Sequence, residues 1–340
     1  MKKIKIISFH SELNYGAVLQ AYALQKAIRN EGGEPYFSDV SLRNFKQLAH
    51  RSLKEIVIQA YAHVINRPKE RQFIQFRKNE FKTSKDDKEN CDLIICGSDQ
   101  IWNPEITNGL QPYFFGVGQR YKKKVSYAAS CGDTSTISND MDLLREYLSD
   151  FSLISVREEK TRLYLNQQGI ECKTVVDPTL LICQDEWLRL VHKSKSQKPM
   201  SKYIFVYDLE GTQTFSDTVN AITTDTNVPV VTLRHRAHYY NEIMRFPKAS
   251  PYDFLFLIYN AEYVVSNSFH ALIFSYIFQK KAYIVPHTHY AERMVSFLDN
   301  FNVKLNEINT YIDFSKVDMT YVNKLISDSI RFLKDSMEME

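Results

Sequence analysis

The reading of the fold turns on one stretch near the start of the chain. Lys3-Ile4-Lys5-Ile6-Ile7-Ser8-Phe9 leads into His10-Ser11-Glu12-Leu13-Asn14, then Ala17 to Arg29, then Gly32-Gly33 and Glu34 to Val40. The first run is a short apolar strand. In the third, Ala17, Val18, Ala21, Leu24 and Ile28 recur at helical spacing, so one helical face is apolar. The paired glycines stop that helix, and Glu34 to Val40 reads as a second strand. A strand, helix and strand joined this closely form a βαβ unit. Such a unit requires a parallel sheet and puts chemistry-bearing loops at the carboxyl ends of its strands.

Working outward, Asp92 to Cys96 and Lys124 to Ala129 read as buried strands, Asp140 to Phe151 as a helix, and Leu153 to Val156 as extended. Glu158 to Gln168 reads as a helix stopped by Gly169, and Lys173 to Val176 as a strand ending in Asp177-Pro178. The polar stretch His192 to Lys202 is the expected linker. A second βαβ series follows, with strands at Tyr203 to Tyr207, Pro229 to Leu233, Tyr263 to Ser266 and Ala282 to Val285. Ser250-Pro251 opens one of its helices, serine as N-cap and proline at the first helical position, and Phe269 to Gln279 forms another. The expected fold class is α/β. An N-terminal Rossmann-like domain would span 1–191, with a basic helical insertion at about 43–90. A second Rossmann-like domain would span 203–320, followed by a C-terminal helix at 321–340.

The 340 residues carry 43 Lys and Arg against 40 Asp and Glu, a net charge of +3 that gives no argument for nucleic acid. The surplus is local: Arg43 to Lys85 contains eleven basic residues and three Glu. This segment reads as a solvated helical insertion or as a surface approaching anionic lipid or a lipid-linked acceptor. The five cysteines, Cys91, Cys96, Cys131, Cys172 and Cys183, have no zinc or disulfide spacing, which fits a reducing compartment. The longest apolar run, Phe254 to Tyr259, is too short to cross a bilayer, and the N-terminus has no signal-peptide core. The expectation is a cytoplasmic protein, with peripheral contact at the inner membrane face left open.

Four strand-end constellations could carry chemistry. Asn14-Tyr15-Gly16-Ala17 is either an anion site at a helix N-terminus or simply a capped turn. Gly97-Ser98-Asp99-Gln100-Ile101-Trp102-Asn103-Pro104 follows a buried strand. Trp102 offers a flat face for a sugar, Gln100 and Asn103 offer donors and acceptors, and Asp99 could act as a base; the alternative is a hydrogen-bonded turn. In Ser266-Asn267-Ser268-Phe269-His270 the histidine falls in a first helical turn, where it could meet an anion or serve as a structural donor. Arg157, in Val156-Arg157-Glu158-Glu159, suits a carboxylate or phosphate, or a salt bridge to Glu158, Glu159 or Asp177. Arg234-His235-Arg236 with His238 is a further cationic cluster. His287 and His289 with Glu292 lack the partners a metal site needs, so no metal is expected.

Taken in order, these blocks resemble the polysaccharide pyruvyl transferase family. The resemblance is carried by Asn14 to Leu24, Gly97 to Pro104, Ser126-Tyr127-Ala128-Ala129-Ser130, Ser155-Val156-Arg157-Glu158, Asp177-Pro178-Thr179-Leu180-Leu181 and Asn267-Ser268-Phe269-His270, with Arg293 beyond. It implies two Rossmann-like, GT-B-like domains facing across a cleft. It also implies phosphoenolpyruvate as donor and a sugar or lipid-linked oligosaccharide as acceptor, with no cofactor beyond that co-substrate. The resemblance gives His270 and Arg157 as catalytic or donor-binding, and Asp99 stands with them as the candidate base at its strand end. Asn14, Gly16, Ser268, Arg234 and Arg293 are expected at the donor, and Ser98, Gln100, Trp102 and Asn103 at the acceptor. Where many members continue Gly-Thr after the histidine, Ala271-Leu272 stand here; where some place Arg-Leu before it, Ser268-Phe269 stand. A nucleotide-sugar glycosyltransferase and a catalytically silent glycan-binding protein are the competing readings.

Overall fold

The structure is a computed structural model describing residues 1–38, 53–86, 89–233, 237–288 and 291–338; for 53–66 it describes the backbone only. Arg234, His235, Arg236 and His289 lie outside the described residues, as do 43–52 of the basic segment. In chain order the elements are β1 (Lys3–Ile7), α1 (Tyr15–Asn30), β2 (Glu34–Ser38), α2 (Leu53–Glu80), β3 (Thr83–Ser84), β4 (Cys91–Cys96), α3 (Pro104–Thr107), β5 (Tyr121–Ser126), α4 (Met141–Leu148), β6 (Ser155–Val156), α5 (Glu159–Gln167) and β7 (Lys173–Thr174). They continue as α6 (Gln184–Val191), β8 (Ile204–Tyr207), α7 (Gln213–Thr226), β9 (Val230–Thr232), β10 (Glu242–Arg245), α8 (Pro251–Asn260), β11 (Tyr263–Ser266), α9 (Phe269–Ile277), β12 (Lys281–Ile284), α10 (Glu292–Asp299), β13 (Thr310–Asp313) and α11 (Thr320–Glu338).

The chain divides into two compact units, one of residues 1–62, 77–182 and 322–340, the other of 63–76 and 183–321. The first is built on a parallel sheet of order β3-β2-β1-β4-β5. The chain moves outward from β1 to β2 and β3, then returns to β4 on the other side of β1. The strand order therefore reverses between β1 and β4, and the crevice beyond their carboxyl ends is where such sheets bind ligands. The Lys-Ile alternation of β1 suggests one solvated face, yet Lys5 is 1% exposed because both faces are covered. Its Nζ is held by Gln119 Oε1. In the same row of the sheet Lys5 pairs with Ile94 and Ile94 with Lys124. Lys124 is also buried; its Nζ donates to Phe115 O at 2.8 Å and lies 4.4 Å from the Phe151 ring. Each buried cation thus has a partner, without which burying it would be costly.

Helix α1 is buried almost all round rather than along one stripe, and Gln20 and Gln25 stand inside with it. Gln25 joins α1 to the end of α2, donating to Glu80 O at 2.8 Å and accepting from Lys82 N at 3.0 Å. Past β5 the sheet is continued by the short parallel pair β6–β7. The junction is a reciprocal serine pair: Ser126 Oγ donates to Ser155 O, and Ser155 Oγ to Ser126 O, each at 2.9 Å. The C-terminal helix, expected as an element of its own, belongs from Val322 onward to this first unit. Ser329 Oγ accepts from Val176 N at 3.0 Å, and Lys2 Nζ donates to Met337 O at 2.6 Å.

The second unit holds a six-stranded sheet of order β10-β9-β8-β11-β12-β13, parallel except for β13 on β12. Its order reverses between β8 and β11, so it has its own switch point. Phe215, Val219, Val206 and Val265 are among the residues of its core. Ser250 and Asp253 form a full capping box at the start of α8. The expected linker is coil tied to that same cap, since Ser194 and Ser196 hydroxyls donate to Asp253 Oδ1 at 2.6 and 2.9 Å. The division between units falls earlier, between Ile182 and Cys183, which places α6 in the second unit.

Candidate functional site

In the first unit the loops after β1 and β4 meet at the switch point. Ser8 Oγ donates to Ser98 O at 3.0 Å, and Gln20 Nε2 donates to Ser8 Oγ at 2.8 Å. Asn14 caps α1, its Oδ1 accepting from Gly16 N at 2.9 Å and Ala17 N at 3.4 Å. Both donor-site candidates at this terminus therefore make the bonds of a capped turn. Gly97 has a φ of 132°, and a Cβ there would stand 2.0 Å from Tyr127 O, so the strand can leave the sheet here only through glycine. Asp99 follows at φ 73°, its Oδ1 accepting from Gln100 N at 2.9 Å. Gln100 Oε1 accepts from Asn103 Nδ2 at 2.9 Å, and Asn103 Oδ1 caps α3 by accepting from Glu105 N at 3.0 Å.

Ser98 and Asn103 are wholly buried and Gln100 nearly so. Trp102 is 1% exposed, its ring stacked on Phe115 at 5.4 Å and crossed by Phe151 at 6.1 Å. The indole expected as a sugar-stacking platform packs here within the hydrophobic core. Sequence alone cannot tell these uses of an aromatic face apart.

Arg157 is likewise buried, in the structural alternative weighed from sequence. Its Nη1 donates to Asp177 Oδ2 at 2.9 Å and its Nε to Glu158 Oε1 at 3.1 Å, with Asp99 Oδ1 3.9 Å from Nη2. Burial works against its charge, but Glu158, Asp177 and Asp99 together hold the guanidinium above its ordinary pKa. Glu158 also accepts from Ser130 Oγ at 2.8 Å, and Asp177 Oδ1 from Thr179 Oγ1 at 2.7 Å. The arginine ties together the segments that follow β4, β5, β6 and β7. The expected grip on a donor's carboxylate or phosphate is not what this geometry displays; it displays a brace.

The second unit's switch point is built differently. Ser268 caps α9, its Oγ accepting from Ala271 N at 3.5 Å, and its own N donates to Ser266 Oγ at 3.0 Å. His270 sits in the first turn, 7% exposed, edge-on to Phe269 at 5.4 Å. The Arg293 guanidinium lies 5.5 Å from the Phe269 ring centroid, so this candidate stands beside the same turn. Ala271 and Leu272 are fully buried, which places the departure from the family's Gly-Thr inside the core.

Sequence reasoning quoted Asn267 within its motif without giving it a role, and passed over Asp208 and Glu210, which shape this corner with it. Asn267 Oδ1 accepts from Leu209 N at 2.8 Å, while its Nδ2 donates to Asp208 Oδ1 at 3.1 Å and Glu210 Oε2 at 3.3 Å. Asp208 further accepts from Glu210 N and Gly211 N, each at 2.9 Å, and from Tyr239 OH at 3.1 Å. Burial first, and Asp208 second, push the Tyr239 phenol well above its usual range. The available signal was Asp208-Leu209-Glu210-Gly211 directly after the strand Tyr203 to Tyr207, a pair of acids at a strand's carboxyl end. Among the described residues no three His, Cys, Asp or Glu stand together as metal ligands. No described helix is long and apolar enough to cross a membrane.

The family model described as polysaccharide pyruvyl transferase matches residues 14–289. No curated protein matches the chain. Among solved structures, the UDP-GlcNAc 2-epimerase from Neisseria meningitidis bound to UDP-GlcNAc is similar at TM-score 0.54 and 11% identity, covering 99% of each chain. A protein assigned as a UDP-N-acetylglucosamine 2-epimerase from Listeria monocytogenes gives TM-score 0.54 at 12% identity, over 99% of this chain and 88% of that one. The S. aureus MnaA–UDP co-structure gives 0.50 at 13%, over 100% and 88%. At such identities the likeness concerns the fold alone, and it places the chain in the GT-B fold class.

Proposed function

This chain belongs to the polysaccharide pyruvyl transferase family, and from that premise we propose that it transfers a pyruvyl group from phosphoenolpyruvate to two hydroxyls of a sugar in a cell-surface polysaccharide. The carrying observation is the family match over residues 14–289, which runs through the strand-end loops of both units. In this reading the anionic donor docks at the N-terminus of α9, where Ser268 caps the helix and amides with a favourable dipole attract anions. His270 supplies a proton to the enol carbon as the central carbon takes on oxocarbenium character. Arg293, beside Phe269, adds cationic charge, and Arg234 is a second candidate cation. A sugar hydroxyl adds, phosphate leaves, and the second hydroxyl closes the ketal. Fixed charges and dipoles aimed at the changing charge stabilise this sequence without reorganising during it.

Arg157 serves this reading as a brace that sets the Asp99 loop. Asp99, Ser98, Gln100 and Asn103 remain proposed for the acceptor side, and Asn14 and Gly16 remain donor candidates, on the family resemblance alone. A lipid-linked acceptor would place the working protein at the inner face of the membrane. The test is phosphate release from phosphoenolpyruvate across a panel of sugar acceptors, together with thermal shifts. A ligand at one hundred times its Kd stabilises the native protein by about 2.7 kcal/mol. Phosphoenolpyruvate is expected to raise the melting temperature, and UDP- and GDP-sugars are not. A shift with nucleotide sugars alone, and no phosphate release, would overturn the assignment.

A further inference from the structure

The two strands that flank β11 bring a second histidine to the same end of the sheet as His270. Strand β12 lies beside β11 with Ser266 opposite Ile284, and Val285 N donates to Ser266 O at 3.0 Å. The segments 267–270 and 285–288 therefore leave the sheet side by side. Glu210 arrives from the loop after β8, on the other flank of β11, and passes over Asn267 to reach the β12 loop. Its carboxylate accepts from Thr288 N at 3.2 Å through both oxygens, from the Thr288 hydroxyl, and from Asn267 Nδ2 at 3.3 Å. His287 Nδ1 stands 3.4 Å from Glu210 Oε1, and the two side chains are 15% and 13% exposed.

We infer that Glu210 and His287 form a carboxylate–imidazole dyad that serves the acceptor half of the reaction, with His287 as the base and Glu210 as its positioning residue. The inference rests on the proposed pyruvyl transfer. Glu210 is fixed by three donors from Thr288 and Asn267, so its carboxylate stands in place beside the ring. A carboxylate oxygen held beside Nδ1 favours the Nδ1–H tautomer, which makes Nε2 the basic nitrogen of the neutral ring. Transfer needs such a group. As His270 gives a proton to the donor's methylene carbon, the enol double bond's electron pair forms the new C–H bond. The acceptor hydroxyl's O–H bond breaks toward His287 Nε2 while its oxygen bonds to the central carbon. The C–O bond to phosphate then breaks with its electron pair on phosphate. The second hydroxyl adds, and its proton leaves with the phosphate. One proton has then been given by His270 and one taken by His287, and exchange with solvent restores both. A single histidine confined to one turn of α9 would have to serve both ends of this exchange.

The experiment uses the full chain labelled with ¹⁵N-histidine, His287 being assigned by its disappearance in His287→Gln. Long-range proton–nitrogen correlations are expected to show the Nδ1–H tautomer in the wild type and its loss in Glu210→Gln. This arm needs no turnover, so it decides the dyad even if phosphoenolpyruvate proves not to be the donor. In the kinetic arm His287→Gln is expected to lower kcat by about 10²- to 10⁴-fold. The KM for phosphoenolpyruvate should change by no more than about threefold. Glu210→Gln should lower kcat by about 10- to 100-fold, with partial recovery in Glu210→Asp. An Nε2–H tautomer in the wild type, or a His287→Gln enzyme with wild-type kcat, would overturn the inference. Because Glu210 also secures Thr288 and Asn267, its variants are read only beside His287→Gln, which leaves those bonds in place.

Discussion

The two switch points have the same topology and gather their strand ends through different residues. In the first unit, polar residues at the strand ends bond to one another: Gln100 to Asn103, Asn14 to the first amides of α1, and Arg157 to Asp177 and Glu158. Trp102 and Ser98 lie beneath the surface with them. In the second unit the inward bonding is done by Asp208 and Asn267, and around that frame stand His270, Ser268, Arg293 and His287. Two similar-looking polar motifs at strand ends can therefore be fastened by different chemistry in one sheet and the next. What separates them is the group that gathers the strand ends: the Arg157 guanidinium among carboxylates in the first unit, Asp208 and Asn267 in the second.

The contrast can be broken or sharpened at several points. The largest expected effect is at His270, where alanine should cut phosphate release per folded molecule by about 10²- to 10⁴-fold. Wild-type release in that variant would put the second cluster on the same footing as the first. Arg157→Met should act on folding instead, because it strands buried carboxylates, at a cost of about 3–5 kcal/mol measured by denaturant unfolding. If that variant keeps its stability but loses phosphoenolpyruvate binding, the brace is wrong and the guanidinium is a ligand-binding group. Trp102→Phe should cost about 1–2 kcal/mol for the space it leaves and should not alter sugar affinity. A loss of affinity without a loss of stability would return the indole to the acceptor site. Asn14→Ala should remove about 1 kcal/mol of helix capping, unless an anion bound at that terminus adds a salt-dependent part.

The cysteines give the gentlest probe. Cys91, Cys96, Cys131 and Cys172 are buried in the first unit, and Cys183 is exposed in the second. Burial pushes the thiols of Cys96 and Cys131 up to about 12 and that of Cys172 up to about 11. At pH 8 a thiol reagent should label Cys183 at once and the other four only as fast as the first unit opens. The folded state keeps these protons where an unfolded chain releases them near pH 8.5, so its stability should decline as the pH rises above that value. Rapid labelling of all five would show that the first unit is loosely closed.

The parts of this molecule that were legible in sequence are the local ones. The Lys3–Ile7 strand, the Asn14 cap, the Ser250-Pro251 start of α8 and the strand–helix–strand at Tyr263 to Val285 stand where their patterns put them. Short elements were not legible, because β10 and β13 alternate weakly and take their strand state from a neighbour's edge. Asp208 and Glu210 escaped for a related reason: their partners Asn267 and Thr288 lie 57 to 78 residues away. No window along the chain contains such a pair.

The sequence by itself determined the two parallel-sheet units, the places where their strands end, and the family to which the motifs belong. Those follow from periodicity, capping and residue order, which act over a few neighbours. Only the tertiary structure decided which distant groups the strand ends meet: Asp177 and Glu158 for Arg157, Phe115 for Trp102, Asn267 for Asp208. A guanidinium or an indole is equally able to meet a ligand or a buried partner, and the choice rests on what the fold brings within hydrogen-bonding reach.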